Sequence, residues 1–333
     1  MVESEIGSST IGITLQIVVE KVKEDTKMTE RVELTDEMYE TIAQETAEID
    51  QKMCISHFVL LKFIGMGCFG DAWFARDVKT DNSLCVKLMK NEEKLTMQTY
   101  RDELEVLEMG LDHPNVVKGI TGGYAQLYQD GQPKCMKYFI ASELAEKGEL
   151  FNMISEAQLY PQGMTPRIVR QLFGQILEGL EYIHDKGLAH RDMKLDNCFL
   201  DQHVKIKVAD FGCKKSLQSV MRTQVGADRC RAPEINGSEY QGKPVDIFSC
   251  GVILFVMLTG KAPFNIANDI NHKRILRQAK RAMAMRKIEV SETATDLFNK
   301  MTAIDPEVRY TMAQVKEHAW MKEGECATEE EVA

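Results

Sequence analysis

The chain has 333 residues, enough for one large domain or two ordinary ones, and its 44% hydrophobic and 28% charged residues are typical of a globular protein. The net charge of −10 at pH 7 excludes the basic footprint of a nucleic-acid-binding protein. The longest apolar run, Gly251 to Leu258, is too short to cross a bilayer. The nine cysteines include no CxxC pair, which argues against zinc and suits reduced thiols. Glu3 and Glu5 stand where a secretory signal would be basic, so we expect a cytoplasmic or nuclear protein without a membrane span.

The first 57 residues differ in composition from the rest. Residues 1–50 hold 13 Asp and Glu against 4 Lys and Arg. Apolar residues alternate between Ile11 and Val19, which predicts one strand, and a weak helical pattern follows to about residue 50. We predict a mobile acidic extension over residues 1–57, with a small docked element as the alternative.

A glycine-rich loop follows a strand-like run from Phe58 to Ile64. Its glycines are Gly65, Gly67 and Gly70. A dinucleotide-binding fold uses the same GxGxxG spacing, but there a helix must follow. Here the pattern after the loop is strand, turn and strand. This context favours a loop that folds over a phosphate chain, because glycines let backbone N–H groups approach closely.

Lys87 lies inside the second of these predicted strands. It is either a lysine that reaches solvent from a strand edge or an internal ammonium, which is costly without a carboxylate partner. A helix predicted to begin near Thr96 offers two candidates, Glu103 and Glu105.

The stretch from His190 to Asn197 concentrates groups suited to phosphate chemistry. Asp192 can accept a proton, Lys194 can neutralise a phosphate, and Asn197 offers an oxygen to a hard cation. A run of mixed charge is by itself often a solvated loop. Eighteen residues after Asp192, however, comes the triplet Asp210-Phe211-Gly212, behind a strand-like run.

Together these stretches resemble the HRDxKxxN and DFG motifs of the eukaryotic protein kinases. The resemblance covers residues 58–321. It implies the two-lobed α+β protein kinase fold, with a small antiparallel β lobe that carries one key helix (58–144) and a larger, mainly helical lobe (145–321). A loose acidic tail is expected over residues 322–333. The GELF, APEI and LTGKAPF stretches are most similar to the calcium/calmodulin-dependent and AMP-activated kinases.

The resemblance implies a serine/threonine protein kinase that uses ATP and Mg²⁺. Asp192, Lys194 and Asn197 are then the catalytic set, and Asn197 and Asp210 are the metal ligands. Matching to the family makes Glu103, rather than Glu105, the partner of Lys87. Residues implied in nucleotide binding are Gly65, Gly67, Gly70, Ala72, Cys85, Lys87, Glu103, Ser142 (the gatekeeper), Glu143, Leu144, Glu149, Phe199 and Asp210.

The family pattern also implies partners for the chain. Glu149 and Asp196 match positions where related kinases hold a substrate arginine, so we expect protein substrates with serine or threonine in a basic context. Thr223 matches the position of an activating phosphate, which an upstream kinase would add and Arg191 would bind. The alternative is that Thr223 is an ordinary exposed loop residue.

Further family matches are structural. Glu234, in Ala232-Pro233-Glu234, is expected to pair with Arg309, and Asp246 is expected to support the fold.

Several positions depart from the family pattern. Ala72 and Cys85 stand where valine and alanine enclose the adenine, and Cys213 follows the DFG triplet. Cys230 replaces an aromatic residue, and Ala227 replaces a threonine that hydrogen-bonds the catalytic aspartate and lysine. One buried hydrogen bond contributes about 0.5–1.5 kcal/mol, which changes a rate by roughly tenfold at most. A nucleotide-binding pseudokinase or scaffold therefore stays as the alternative function.

Overall fold

The computed structural model describes residues 14–15, 32–33, 53–90, 92–155, 163–217, 221, 230–235, 239–263 and 290–332. The chain divides into two compact units. The first contains Met1–Tyr100 and Gly119–Leu144, and the second contains Arg101–Lys118 and Ala145–Ala333. Strands dominate the described part of the first unit and helices that of the second, so the predicted two-lobed α+β kinase fold is confirmed.

The first unit contains a closed antiparallel barrel of six strands. A separate two-residue pair, β1 (Thr14–Leu15) and β2 (Val32–Glu33), lies N-terminal to it in the chain. The barrel strands are β3 (Met53–Ile55), β4 (Phe58–Met66), β5 (Gly70–Asp77), β6 (Ser83–Met89), β7 (Gly119–Gln129) and β8 (Gln132–Glu143). Their order around the barrel is β3-β4-β5-β6-β8-β7. Alternation places one face of each strand inward, as in Leu84, Val86 and Leu88 of β6, which are buried.

Strand β3 closes the barrel because it pairs with both β4 and β7. Ile55 is fully buried in the barrel core. This strand lies ahead of the predicted domain start at Phe58, so the folded barrel includes residues that the sequence analysis placed in the extension. Except for residues 14–15, 32–33 and 53–57, the predicted extension lies outside the described residues, and its mobility stays a prediction.

Helix α1 (Lys94–Glu108) contains the boundary between the units, and its part from Arg101 onward belongs to the second unit. The rest of the second unit is built around two long helices, Pro166–Asp185 and Gly242–Thr259. The two-stranded ladder is β10 (Leu188–Ala189) with β13 (Lys215–Ser216), and the three-stranded ladder is β12 (Ile206–Val208), β11 (Cys198–Leu200) and β9 (Gly148–Glu149). The helices are α2 (Leu150–Ser155), α3 (Pro166–Asp185), α4 (Gly242–Thr259), α5 (Glu292–Met301), α6 (Met312–Lys316), α7 (Ala319–Lys322) and α8 (Glu329–Val332).

Helix α3 begins directly after Thr165, with Pro166 in its first turn, where the missing proline N–H costs nothing. Its apolar face, including Leu172, Phe173 and Ile176, is buried in the main core. Helix α4 has the length and hydropathy of a membrane span, but 83% of it is buried inside the folded chain. Among the described helices it is the one that meets these criteria, and its burial is that of a core helix.

The last described residues pack against α3, where the sequence predicted a loose tail. The amide of Ala327 donates to the carbonyl of Arg167 over 3.1 Å, and the Arg167 guanidinium binds both carboxylate oxygens of Glu331 over 3.0 and 3.1 Å. Val332 is buried. The Glu331 pKa is lowered by a hydrogen bond from the Thr328 backbone and by Arg167. The acidic composition of residues 322–333 predicted a loose tail because Arg167, which binds Glu331, lies 164 residues away in sequence.

Candidate active site

The glycine-rich loop joins β4 to β5 in the barrel unit. The amide of Gly67 donates to the carbonyl of Gly70 over 2.9 Å and closes a tight turn. A Cβ atom on Gly67 would lie 2.9 Å from the Gly70 carbonyl, and one on Gly70 would lie 2.9 Å from both the Leu88 carbonyl and Cγ of Lys87. These two positions therefore require glycine on steric grounds, whereas Gly65 has open space around it.

Four predicted nucleotide-binding residues share one face of the barrel wall. In the strand register, Ala72 lies opposite Lys87 and Cys85 lies opposite Ser142. Directly opposed residues project to the same face, and so do residues two apart in one strand. Each of the four is partly buried. Leu84, Val86 and Leu88, which alternate with Cys85 and Lys87 along β6, belong to the core on the other face. Glu143 ends β8 and Leu144 follows it, both partly buried.

In the helical unit, Asp246 fixes the backbone of the stretch from His190 to Asn197, the catalytic-loop sequence. Its carboxylate is fully buried and accepts hydrogen bonds from the amides of His190 and Arg191, at 2.9 and 2.7 Å. His184 contacts the same carboxylate at 2.8 Å. The predicted structural role of Asp246 thus has a specific form, which the sequence analysis missed: it holds the two residues that directly precede Asp192.

Asp192, Lys194 and Asn197 lie together, as predicted. The ammonium of Lys194 is 3.2 Å from Oδ2 of Asp192. The amide nitrogen of Asn197, in the 3₁₀ turn Leu195–Asn197, donates to the main-chain carbonyl of Asp192 over 2.8 Å and to its Oδ2 over 3.2 Å. These bonds fix the Asp192 carboxylate from two sides.

Lys194 keeps its charge in this cluster. Partial burial lowers the pKa of its ammonium, but the nearby carboxylate and hydrogen bond of Asp192 raise it, and two further aspartates, Asp210 and Asp196, add to that effect. The net result is a pKa above the ordinary value of a lysine. The cation is therefore fully present at neutral pH.

Two residues of the site hold the left-handed backbone conformation that L residues rarely adopt. Arg191 and Asp210 both have φ of 65°. Such strain costs on the order of 1–3 kcal/mol and persists only where surrounding bonds impose it. Nε of Arg191 donates to the Cys213 carbonyl over 2.7 Å, and Nη1 donates to the Tyr240 hydroxyl over 2.9 Å. The amide of Gly212 donates to Oδ1 of Asp210 over 3.3 Å.

The residues around Asn197 and Asp210 fit a magnesium ion. Because the side-chain nitrogen of Asn197 donates to Asp192, the side-chain oxygen of Asn197 is the atom that can bind a cation. With the carboxylate of Asp210 it gives the oxygen ligands that Mg²⁺ prefers. Within the described ranges, no group of three or more His, Cys, Asp or Glu forms a cage for a metal. A site with few protein ligands, completed by phosphate oxygens, is the usual arrangement for Mg²⁺.

The remaining predicted residues are placed as follows. Glu149 in β9 lies opposite Phe199 in β11, and both are partly buried. Asp196 is exposed in the 3₁₀ turn. Glu103 is partly buried on α1, and its pairing with Lys87 stays a prediction. The rival carboxylate, Glu105, binds the ammonium of Lys214, a partner that the sequence analysis did not foresee.

The predicted ion pair between Glu234 and Arg309 is present, with bonds of 2.5 and 3.0 Å. Thr223 and Ala227 lie outside the described residues. Cys213 and Cys230 each offer a main-chain carbonyl, to Arg191 and to the Ser249 hydroxyl (2.8 Å). The two bonds use the backbone, which any residue supplies.

A β-barrel unit with a glycine-rich loop, followed by a helical unit with this set of polar groups, is the architecture of a protein kinase. The protein kinase domain model matches residues 58–321, most of the chain, so the chain belongs to the protein kinase family.

The chain is similar to other protein kinases, several of them named as serine/threonine kinases. A probable serine/threonine-protein kinase of Dictyostelium discoideum is 32% identical over 80% of this chain and 31% of the relative. CBL-interacting serine/threonine-protein kinase 12 of Arabidopsis thaliana is 30% identical over 86% of this chain and 58% of the relative. Calcium/calmodulin-dependent protein kinase type 1 of Macrobrachium nipponense is 32% identical over 82% of this chain and 77% of the relative. The chain thus spans less than two thirds of the first two relatives.

Proposed function

We propose that this chain is an active serine/threonine protein kinase, which transfers the γ-phosphate of ATP to a protein hydroxyl. The observation that carries the proposal is the cluster of Asp192, Lys194 and Asn197, held by Asp246 beneath it. Phosphoryl transfer requires positioning and charge neutralisation more than covalent chemistry by the protein. This cluster offers both.

In the barrel unit, the glycine-rich loop would cover the phosphates of ATP. Gly67 and Gly70 are required sterically, and the absence of side chains at these positions lets the backbone of the loop approach phosphate oxygens. Lys87 would bind the α- and β-phosphates, with Glu103 as its partner. Ala72, Cys85 and Ser142, on the same face as Lys87, would contact the adenine, together with the main chain at Glu143 and Leu144.

In the helical unit, Asp192 would orient the substrate hydroxyl and accept its proton. Lys194 would offset negative charge on the γ-phosphate during transfer, and its raised pKa keeps it charged for that role. Asn197 and Asp210 would hold Mg²⁺, which when bound neutralises phosphate charge as a hard cation.

A direct test compares wild type with Asp192→Asn, using γ-labelled ATP, Mg²⁺ and a basic serine peptide. We expect wild type to label the peptide. The labelling rate of Asp192→Asn should be at least about a hundredfold lower, as expected for the loss of a positioned base. Asp185→Asn makes the same chemical change at the exposed end of α3 and should label normally. If wild type binds ATP but never labels any protein or peptide, the active-kinase proposal fails.

That last result would support the second candidate, a nucleotide-binding pseudokinase or scaffold. The observation in its favour is the set of departures at Ala72, Cys85 and Ala227. Against it stands the intact set of Lys87, Asp192, Asn197 and Asp210. The two candidates differ in turnover and agree on nucleotide binding, so the labelling assay separates them.

We further propose that the substrates are basic. The support is the pair of acidic residues Glu149 and Asp196, since charge-assisted contacts between arginine and carboxylate are strong. A peptide array should show a preference for arginine a few residues before the target serine or threonine. Glu149→Gln with Asp196→Asn should reduce that preference, and a preference for acidic residues in wild type would contradict it.

Activation by an upstream kinase at Thr223 is a proposal from the family pattern alone. A phosphothreonine adds about −1.5 to −2 charges and three acceptor oxygens, which Arg191 could bind. Thr223→Ala should then lower activity severely, and Ala227→Thr should restore part of it. Active protein without phosphate at Thr223, by mass spectrometry, would rule the switch out.

We also propose that the protein acts on proteins in the cytoplasm or nucleus, where its nine free cysteines would stay reduced. Imaging of a fluorescent fusion would test the location.

A further inference from the structure

Lys214 lies two residues after Gly212, and its side chain is only 4% exposed. A lysine at that depth needs a carboxylate, because an unpaired ammonium is costly to remove from water. Its ion-pair partner is Glu105, on helix α1 and 109 residues away in sequence. The Glu105 side chain is 63% exposed. The buried end of this pair is therefore in the segment that follows Asp210, and the solvated end is on the helix.

The segment between Asp210 and Lys214 is a compact turn. The amide of Lys214 donates to the Phe211 carbonyl over 3.0 Å, and the amide of Gly212 donates to Asp210. The Cys213 carbonyl accepts a hydrogen bond from Arg191. The catalytic-loop sequence thus binds this turn through one residue, Cys213, and α1 binds it through the next, Lys214.

We propose that Lys214 and Glu105 form a positioning pair that holds the turn carrying Asp210 against helix α1. The inference rests on the proposed function, in which Asp210 is a metal ligand. Asp210 has a strained backbone, so it depends on neighbouring bonds to keep its place. A side chain two positions after Gly212, anchored to a helix, supplies such a bond.

The pair is compatible with the predicted role of Glu103. Successive residues of an α-helix are about 100° apart, so Glu103 and Glu105 point in directions roughly 200° apart. The contact of Glu105 with Lys214 therefore does not use the face of α1 that carries Glu103.

The test uses the full chain with three changes: Glu105→Gln, Lys214→Met and the reversed pair Glu105→Lys with Lys214→Glu. Glu108→Gln on the exposed side of the same helix is the matched control. Two quantities are measured at a temperature where each variant is folded. The first is hydrogen–deuterium exchange of residues 210–217 without nucleotide, and the second is kcat and KM for ATP at saturating and limiting Mg²⁺.

We expect Glu105→Gln and Lys214→Met to speed amide exchange in residues 210–217 at least about threefold, because the turn opens locally. We expect kcat to fall about tenfold to a hundredfold, as for a misplaced reacting group, with a higher Mg²⁺ requirement and a smaller change in KM. The reversed pair should recover part of both losses, and Glu108→Gln should match wild type.

A purely structural pair gives a different result. If both single variants lower only the melting temperature, with wild-type exchange at 210–217 and wild-type kcat, the proposal is wrong. Glu105→Gln leaves the Lys214 ammonium buried without its carboxylate and could fail to fold. Lys214→Met removes that buried charge, so this variant keeps the test decisive. The exchange measurement needs no turnover, so it would still support or overturn the pair if the kinase assay showed no activity in wild type.

Discussion

Arg309 and Glu234, 75 residues apart in sequence, form a two-bonded ion pair whose arginine side chain is fully buried. The guanidinium also donates to the carbonyls of Pro244 and Ala303, over 2.8 and 2.9 Å, and lies over the Phe248 ring. With a further bond from Nη2 to the Ile304 carbonyl over 3.2 Å, all three guanidinium nitrogens donate to protein oxygens. The pair joins the Ala232-Pro233-Glu234 segment to the core of the helical unit.

Removal of Glu234 should therefore be costly. Glu234→Ala leaves a buried guanidinium without its carboxylate, and we expect the free energy of unfolding to fall by about 3–5 kcal/mol. Urea denaturation provides the measurement. Glu181→Ala removes a half-exposed pair with Lys316 and should cost no more than about 1 kcal/mol. Equal costs for the two substitutions would show that burial does not set the strength of the Arg309 pair.

Strand β3 should be needed for the stability of the barrel. A chain that begins at Met53 should fold, whereas one that begins at Phe58 loses the pairing with both β4 and β7. In the full chain, Ile55→Ala should cost about 2–5 kcal/mol, the usual range for a buried large-to-small change. Leu95→Ala, at a side chain 65% exposed, is the control and should be nearly silent. Identical melting temperatures for the two shortened chains would contradict a structural role for β3.

Ser142 should control access beside the adenine. Its side chain is small and shares a face with Cys85 and Lys87. ATP-competitive compounds with a bulky aromatic group should bind wild type, and Ser142→Phe should weaken them by at least about tenfold through steric exclusion. Ser142→Ala keeps the space and should bind them as wild type does. Equal affinity of the Phe and wild-type proteins, by calorimetry, would place Ser142 away from the compound.

The cysteines should divide into two classes of reactivity. All nine are free, and Cys68 and Cys326 are exposed. Burial raises the pKa of the Cys54 thiol to about 11 and raises the pKa of Cys198 and Cys250 strongly as well. Because the thiolate is the reactive form, a raised pKa means less reagent consumed at a given pH.

Brief iodoacetamide treatment at pH 8 should therefore modify Cys68 and Cys326 and spare Cys54, Cys198 and Cys250, as read by peptide mass spectrometry. In urea, where burial is lost, all five should react. Raising the pH toward 11 should bring in Cys54 before the other two buried thiols. Modification of Cys198 in the native protein at the rate of Cys68 would contradict its burial.

Much of the site was predictable because its residues lie close together in the sequence. Asp192, Lys194 and Asn197 fall within six residues, so local spacing fixes their chemistry. The alternation of β6 likewise places Lys87 on the face opposite the buried Leu84, Val86 and Leu88, although the sequence analysis left open whether this lysine is internal. In such local patterns, the spacing along the chain determines which side chains lie near one another.

Contacts between residues far apart in the sequence were harder to predict. The ion pair of Lys214 with Glu105 joins residues 109 apart, and no periodicity links them. The pairing of β3 with β7 and the packing of residues 327–332 on α3 depend on partners that the local sequence does not name. Glu234 with Arg309 was predicted only because the family pattern supplied the pairing.

The measurement that tests the kinase account most directly is Asp210→Ala, assayed for transfer of γ-labelled phosphate and for nucleotide binding in the same preparation. Asp210 is exposed, so the substitution should leave the fold intact, as judged by circular dichroism and melting temperature. The account predicts that transfer is abolished and that Mg²⁺ no longer strengthens binding of a non-hydrolysable ATP analogue, while metal-free binding is retained. Full transfer by a folded Asp210→Ala protein would contradict it.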